Sequence, residues 1–162
     1  MVIGAMAVAM WGQPRATADI DFTVLTDPDG LDILGRDAEH LGFLIDQQWL
    51  EWHPLQRGQQ IRLKSGDFLI DIVRPMDQHQ EEALRRSRAL EIGGRNVWFA
   101  SPEDLILMKL KAGRPRDFED AISVLARQRD KLDERYMTDW AWRIGAYDEL
   151  AYILRGGTVG FG

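Results

Sequence analysis

A short segment near the start of the chain, residues 18–25, constrains the fold more than any other. Apolar and polar side chains alternate along it, so that Ile20 and Phe22 point to one side and the two aspartates to the other. Such alternation predicts a β-strand with one buried face. Asp19 and Asp21 therefore lie together on the opposite, polar face of that strand.

A small-residue turn precedes this strand. Gly4 and Ala5 lead into an apolar run with helical character that stops at Gly12, and thirteen residues separate Ala5 from Asp19. Backbone N–H groups at the start of a helix form a ready site for phosphate. The turn thus predicts an anion site beside the strand of the two aspartates.

A third aspartate lies on a predicted hairpin. Residues 61–63 and 68–73 read as two strands joined by a turn at 65–67, and Asp71 stands between Ile70 and Ile72 in the second strand. Three carboxylates on neighbouring strands repel one another unless a cation compensates them. Hard oxygen ligands favour Mg²⁺ or Mn²⁺. A pair of such ions about 3.5 to 4 Å apart aligns an attacking hydroxyl with a triphosphate.

The second half of the chain is predicted to be helical. Ser101 is a helix cap, Pro102 occupies the first helical position, and the helix is expected to end at Gly113. Lys109 lies among apolar residues of this helix and therefore requires a partner or a ligand. The two aspartates of the next helix, Asp117 and Asp120, stand one turn apart, where an ion pair tying that helix to the rest of the protein is as good an explanation as a role in binding.

The whole pattern predicts an α+β fold, with a mixed β-sheet flanked by helices and followed by a small helical C-terminal lobe. A chain of 162 residues with 45% apolar residues has the size of about one domain. We expect a core lobe over residues 1–100, a helical lobe over 101–155 in the same structural unit, and a flexible tail over 156–162. The tryptophans are expected to pack in the core and lobes, with Trp49 and Trp52 flanking a strand.

Composition narrows the possible functions and location. The chain has no cysteine, which excludes disulfides and thiolate metal sites and is consistent with the cytoplasm. A net charge of −6 argues against tight binding along duplex DNA, because that affinity comes mainly from lysine and arginine side chains that neutralise the DNA phosphates. The apolar start lacks the basic region of a signal peptide and is too short to cross a membrane. We therefore expect a soluble cytoplasmic protein with no membrane partner.

These motifs resemble a known family. Together they are similar to the signature of the DNA polymerase beta-like nucleotidyltransferase superfamily. That signature consists of the turn at Gly4 and Ala5, a gap of thirteen residues, the aspartate pair Asp19 and Asp21, and the later Asp71. Within the superfamily, segments 12–21 (GQPRATADID) and 101–120 (SPEDLILMKLKAGRPRDFED) resemble small bacterial nucleotidyltransferases of the AbiEii toxin type. The resemblance extends from residue 1 to about residue 154.

The resemblance implies transfer of a nucleoside monophosphate from a nucleoside triphosphate to an acceptor hydroxyl, with Mg²⁺ or Mn²⁺ as cofactor. The acceptor would be an RNA end, for example on tRNA, or a protein, and many relatives belong to toxin–antitoxin pairs. Asp19 and Asp21 would hold both metals, and Asp71 would complete the second metal site and lie nearest the acceptor hydroxyl as ligand and general base. Gly4 and Ala5 would offer backbone N–H groups to the phosphates.

The same resemblance assigns further residues to the nucleotide. Lys109 would neutralise triphosphate charge, with Arg116 assisting, and Asp117 and Asp120 match positions near the nucleotide. The remaining two residues lie just before the metal-binding strand: Arg15 would reach a phosphate and Thr17 would hold the loop through its hydroxyl.

The sequence departs from its relatives in two places, and these keep a second hypothesis open. Ala5 stands where most relatives have glycine or serine, and the helix that usually precedes the first strand is missing. The missing helix implies a trimmed start, a misplaced start codon or a surface covered by a partner. The alternative function is a non-catalytic module on the same fold that binds a protein, as an antitoxin or regulatory partner. A phosphate-releasing metal hydrolase is a third hypothesis.

Overall fold

A seven-stranded mixed sheet flanked by helices forms the centre of the protein in a computed structural model, which describes residues 1–157. The strands are β1 (Val2–Ile3), β2 (Asp19–Thr23), β3 (Leu44–Ile45), β4 (Gln60–Ser65), β5 (Phe68–Val73), β6 (Arg88–Ile92) and β7 (Arg95–Phe99). The helices are α1 (Gly4–Trp11), α2 (Pro28–His40), α3 (Gln47–Trp52), α4 (Gln78–Arg85), α5 (Pro102–Ala112), α6 (Pro115–Gln128), α7 (Glu134–Ile144) and α8 (Tyr147–Leu154). The α+β class predicted from sequence is confirmed.

The sheet order places the predicted aspartate strands side by side. The strands follow one another as β3-β4-β5-β2-β1-β7-β6. The β2–β5 and β1–β7 pairs are parallel, and the other neighbours are antiparallel. In the β2–β5 register Asp21 lies directly opposite Asp71. The predicted hairpin of β4 and β5 is present, and β6 and β7 form a second one.

Two apolar clusters hold the sheet between its helices. The larger joins β1, α1 and β7 to α5, α6, α7 and α8, and includes the fully buried Val8, Leu107 and Met137. The smaller packs Leu31 of α2 against Ile61 and other residues of β4 and β5. Because the larger cluster draws on both ends of the chain, burial of apolar surface ties the helical C-terminal part to the first strand and helix.

Several local predictions can be compared with the structure. Ser101 caps α5 by accepting a hydrogen bond from the backbone N–H of Asp104 at 3.2 Å, and Gly113 ends the helix with φ of 68°. The strand expected beside Trp49 and Trp52 is wrong, because both residues lie in the helix α3. The boundaries 1–100 and 101–155 stay a prediction. The predicted tail lies mostly outside the described residues, from position 158 onward.

No helix within residues 1–157 combines the length and the apolar character needed to cross a bilayer.

Candidate active site

A cavity of about 570 Å³ opens where β2, β4 and β5 meet the start of α1 and the helices α4, α5 and α6. Ten of the eleven site residues predicted from the sequence line it: Gly4, Ala5, Arg15, Thr17, Asp19, Asp21, Asp71, Lys109, Arg116 and Asp117. The eleventh, Asp120, does not line the cavity but binds two of the lining residues, Arg15 and Lys109. The fold therefore brings distant predicted positions to one place.

No cationic side chain within residues 1–157 forms an ion pair with Asp19 or Asp21, the two aspartates of β2. Neither side chain has a hydrogen-bond or ion-pair partner in this part of the chain. Burial raises the pKa of Asp21, and the nearby charges of Asp71 and Asp19 raise it further. Asp19 is exposed to the cavity, while Asp21 is half-buried. The site thus holds a carboxylate pair that favours the approach of a cation.

Gly4 fits closely against one of these carboxylates. It has φ of 63°, and a Cβ added there would stand 1.9 Å from Asp21 Oδ2. Helix α1 begins at Gly4 without any side-chain cap on its first N–H groups. Ala5 is buried and also borders the cavity. The uncapped helix start and the carboxylate of Asp21 therefore face the same space.

Asp71 has a partner that the sequence interpretation missed. Arg62 donates from Nε and Nη2 to the two carboxylate oxygens of Asp71, at 2.7 Å each. The guanidinium carbon of Arg62 also lies 4.7 Å from the ring centroid of Trp49. Counting outward from the predicted 65–67 turn places residue 62 opposite residue 70. In the structure Ser65 pairs with Phe68, which leaves a two-residue turn and shifts the register by one, so that Arg62 lies opposite Asp71.

Lys109 is buried and fully engaged. Its Nζ lies 2.8 Å from Asp117 Oδ1 and 2.8 Å from Asp120 Oδ2, and the lysine is only 7% exposed. Arg15 binds the same Asp120 through two hydrogen bonds of 3.0 and 3.1 Å. Arg114 also donates to Asp117, at 2.5 Å. These contacts fix α5, α6 and the loop before β2 to one another.

The pKa values of the two acids of α6 reflect this pairing. Burial by itself would raise the pKa of each carboxyl, but the bound cations reverse the effect. Hydrogen bonds from Lys109 and Arg114 lower the pKa of Asp117 overall. Those from Arg15 and Lys109 lower the pKa of Asp120. Asp117 and Asp120 therefore form the ion pairs expected from the sequence. Their role in nucleotide binding stays a prediction.

Two further predicted residues take different positions at the cavity. Thr17 Oγ1 accepts a hydrogen bond from the backbone N–H of Asp19 at 3.1 Å, which holds the loop ahead of β2. Arg116 is exposed at the rim and has no ion pair or hydrogen bond within residues 1–157. Arg116 is thus a basic side chain at this cavity that remains available to an anion.

The carboxylates fit a divalent cation only in part. Asp19 and Asp21 supply unpartnered oxygen ligands of the kind that Mg²⁺ and Mn²⁺ prefer. However, no three acidic or histidine side chains of residues 1–157 are grouped so that they could hold one metal ion. The predicted third ligand, Asp71, gives both of its oxygens to Arg62. The donor set therefore suits a cation at Asp19 and Asp21 better than a second one at Asp71.

Comparison with known proteins adds to this geometry. Residues 1–143 match a family described as "Nucleotidyltransferase of unknown function (DUF6036)". No curated protein is significantly similar to the chain in sequence.

Two solved structures share the fold. One is the solution structure of the antibiotic-resistance factor ANT(2'')-Ia, with a TM-score of 0.57, 15% identity and coverage of 93% of this chain and 86% of that one. The other is an antigenic nucleotidyltransferase-like protein from Paracoccidioides brasiliensis, with a TM-score of 0.51, 16% identity and coverage of 96% and 84% respectively. At these identities the likeness concerns the fold.

Proposed function

The chain belongs to the DUF6036 family of nucleotidyltransferases of unknown function, and on that premise we propose that it transfers a nucleoside monophosphate from a nucleoside triphosphate to an acceptor hydroxyl. The observation that carries the proposal is the position of Asp19 and Asp21. Both lie unpartnered at one cavity wall, next to the uncapped start of α1 at Gly4. That arrangement suits a triphosphate accompanied by a cation.

The reaction forms one bond and breaks one. The acceptor oxygen bonds to the α-phosphorus of the nucleotide, the bond from that phosphorus to the bridging oxygen breaks, and pyrophosphate leaves. The acceptor's proton passes to a base, for which Asp71 is the proposed group because it lies opposite Asp21 on the adjacent strand. Positioning and charge stabilisation supply most of the catalysis in such transfers.

Asp19 and Asp21 are the proposed ligands of Mg²⁺ or Mn²⁺, which when bound supplies positive charge against the triphosphate and the departing pyrophosphate. The backbone N–H groups of Gly4 and Ala5 would donate to phosphate oxygens. Arg116 would contribute an exposed positive charge at the rim. Lys109 would act chiefly by holding Asp117 and Asp120 in place.

Label transfer tests the proposal directly. The full-length protein is incubated with Mg²⁺, each α-labelled nucleoside triphosphate and total tRNA or cell lysate as acceptor. We expect label in a macromolecule with the wild type and none with Asp19→Ala or Asp21→Ala. Asp67→Ala is the matched control, because Asp67 is an exposed turn residue outside the cavity. Transfer that survives both cavity substitutions would refute the proposed site.

A second candidate is a non-catalytic module that binds a protein partner, as an antitoxin or regulatory subunit. The Arg62–Asp71 pair favours it, since the proposed base is already engaged. Calorimetry with Mg²⁺ and a nucleotide separates the two candidates. Binding that is lost in Asp21→Ala would argue for the enzyme, whereas absence of any nucleotide binding would argue for the module.

The biological setting is a narrower proposal. The resemblance of segments 12–21 and 101–120 to AbiEii-type proteins supports a toxin–antitoxin pair, with tRNA or a protein as the acceptor. The identity of the adjacent gene tests this setting. A small regulator or toxin-like gene beside it would support the pair, and an unrelated metabolic operon would count against it.

A further inference from the structure

Arg62, on strand β4 of the β4–β5 hairpin, places a positive charge at the proposed active site. Arg62 and Asp71 are directly opposed in the antiparallel register, so the backbone itself sets their approach. Both donors of the bidentate pair lie 2.7 Å from their acceptors, and the Arg62 and Asp71 side chains are only 22% and 12% exposed. A charge-assisted bidentate pair of this kind is among the stronger and more directional contacts in proteins.

Other contacts keep Arg62 in this orientation. The indole ring of Trp49, on α3, lies 4.7 Å from the guanidinium carbon and supports it as a cation–π partner. The hydrogen bond with Asp71 raises the pKa of Arg62, and the nearby charges of Asp19 and Asp46 add to that effect. Arg62 thus belongs to the acidic cluster of the cavity as its counter-charge.

The charges of the cluster can be balanced with a single divalent ion. Arg62 neutralises Asp71 by direct contact, which leaves the charges of Asp19 and Asp21 to be compensated. One ion with two positive charges matches those two carboxylates. A second ion at Asp71 would have to break both guanidinium hydrogen bonds and would stand beside the displaced positive charge.

We propose that Arg62 takes the place of a second cation at Asp71, so that the nucleotide-bound chain holds one divalent ion, at Asp19 and Asp21. This inference rests on the proposed function, because it concerns the same nucleotide site. It assigns Arg62 as a positioning residue that holds the Asp71 carboxylate in one orientation at the cavity wall. It also sets a stoichiometry that differs from the two-metal arrangement expected from sequence.

Counting bound Mn²⁺ tests the inference without any activity measurement. The full-length protein is equilibrated with Mn²⁺ and a saturating non-hydrolysable α,β-methylene nucleoside triphosphate, and bound Mn²⁺ is counted by ultrafiltration as the excess of Mn²⁺ in the protein-containing retentate over the filtrate, because Mn²⁺ held by unbound nucleotide is equal on both sides. We expect one Mn²⁺ per chain in the wild type and two in Arg62→Gln. The double variant Arg62→Gln, Asp71→Asn is expected to return to one.

Lys64→Gln is the matched control. Lys64 lies on the same strand and face as Arg62 but pairs with Asp46 outside the cavity, so the variant should keep one Mn²⁺. If Arg62→Gln does not fold, as circular dichroism would show, the wild-type count still decides the question. Two Mn²⁺ in the wild type would overturn this inference alone, whereas no bound Mn²⁺ at all would overturn the proposed function together with it.

Discussion

The carboxylate of Asp21 packs directly over the Cα of Gly4, so that a Cβ at position 4 would stand 1.9 Å from Asp21 Oδ2. This contact joins the start of α1 to β2 in the lining of the cavity. Two facts favour glycine at position 4: the Asp21 carboxylate leaves no space for a Cβ, and the backbone φ of 63° is one that other residues rarely adopt. A substitution there tests the site and the fold together.

Gly4→Ala should therefore lower both stability and nucleotide binding. Its matched control is Gly145→Ala, because Gly145 has a similar φ of 73° but no atom near its would-be Cβ. The control should cost about 1–2 kcal/mol from backbone strain alone. Gly4→Ala should cost more and displace Asp21. Urea unfolding and nucleotide titration measure the two effects, and equal losses in both variants with intact binding would contradict the prediction.

Asp21→Asn should raise the melting temperature at pH 7. The pKa of Asp21 is raised in the folded protein by burial and by Asp71 and Asp19, so its ionised form opposes folding above that pKa. The gain should vanish below the ordinary pKa of 3.8, where the acid is protonated in both states. Thermal unfolding at pH 7 and pH 3 checks this. A lower melting temperature for the variant at pH 7 would show that a compensating contact exists.

Lys109→Met should destabilise the protein by about 3–5 kcal/mol, because it leaves two buried carboxylates without their shared cation. Lys111 provides the control on the same helix. It pairs with Asp77 but is 41% exposed, and Lys111→Met should cost no more than about 1 kcal/mol. Urea unfolding of both variants measures the difference. Similar small losses would mean that Asp117 and Asp120 do not depend on Lys109.

Acid should weaken the contacts between α5, α6 and the loop before β2. The pKa values of Asp117 and Asp120 are lowered in the folded protein, so the unfolded chain binds more protons as the pH falls. The stability from these groups is fully present above their ordinary pKa of 3.8 and is lost as the pH falls through their lower folded values. Urea midpoints measured from pH 6 to pH 2.5 should fall mainly below about pH 4. In the double variant Asp117→Asn, Asp120→Asn, the urea midpoint should fall less steeply with decreasing pH.

Arg116→Gln should weaken nucleotide binding without changing stability. Arg116 is exposed at the cavity rim and unpaired within residues 1–157, so losing it removes only an interaction with the ligand. An exposed charge contributes about 1 kcal/mol, which corresponds to roughly fivefold in affinity. Calorimetry at two salt concentrations checks the loss and its electrostatic origin. Arg95→Gln, at an exposed turn-flanking position away from the cavity, should bind nucleotide as the wild type does.

Much of the local structure was readable from the sequence. Alternation along residues 18–25 was sufficient for β2 and for placing Asp19 and Asp21 on one face, because side-chain direction in a strand has period two. The Ser101 cap and Gly113 similarly marked α5, since both act through the backbone nearby. The α3 helix was missed because its side chains are all at least partly exposed and give no clear periodic pattern.

The sequence by itself thus determined the strand of Asp19 and Asp21, the hairpin of Asp71, the helix α5 and the residue types that could form a nucleotide site. Only the tertiary structure decided which charges neutralise one another. Lys109 and Asp117 are separated by a helix end, and Arg15 and Asp120 by 105 positions, so their pairing depends on how α5, α6 and the loop before β2 pack. Arg62 sits on Asp71 because the sheet register and Trp49 place it there. Local sequence preferences act over a few residues, whereas the electrostatics of a site depend on distances that packing sets.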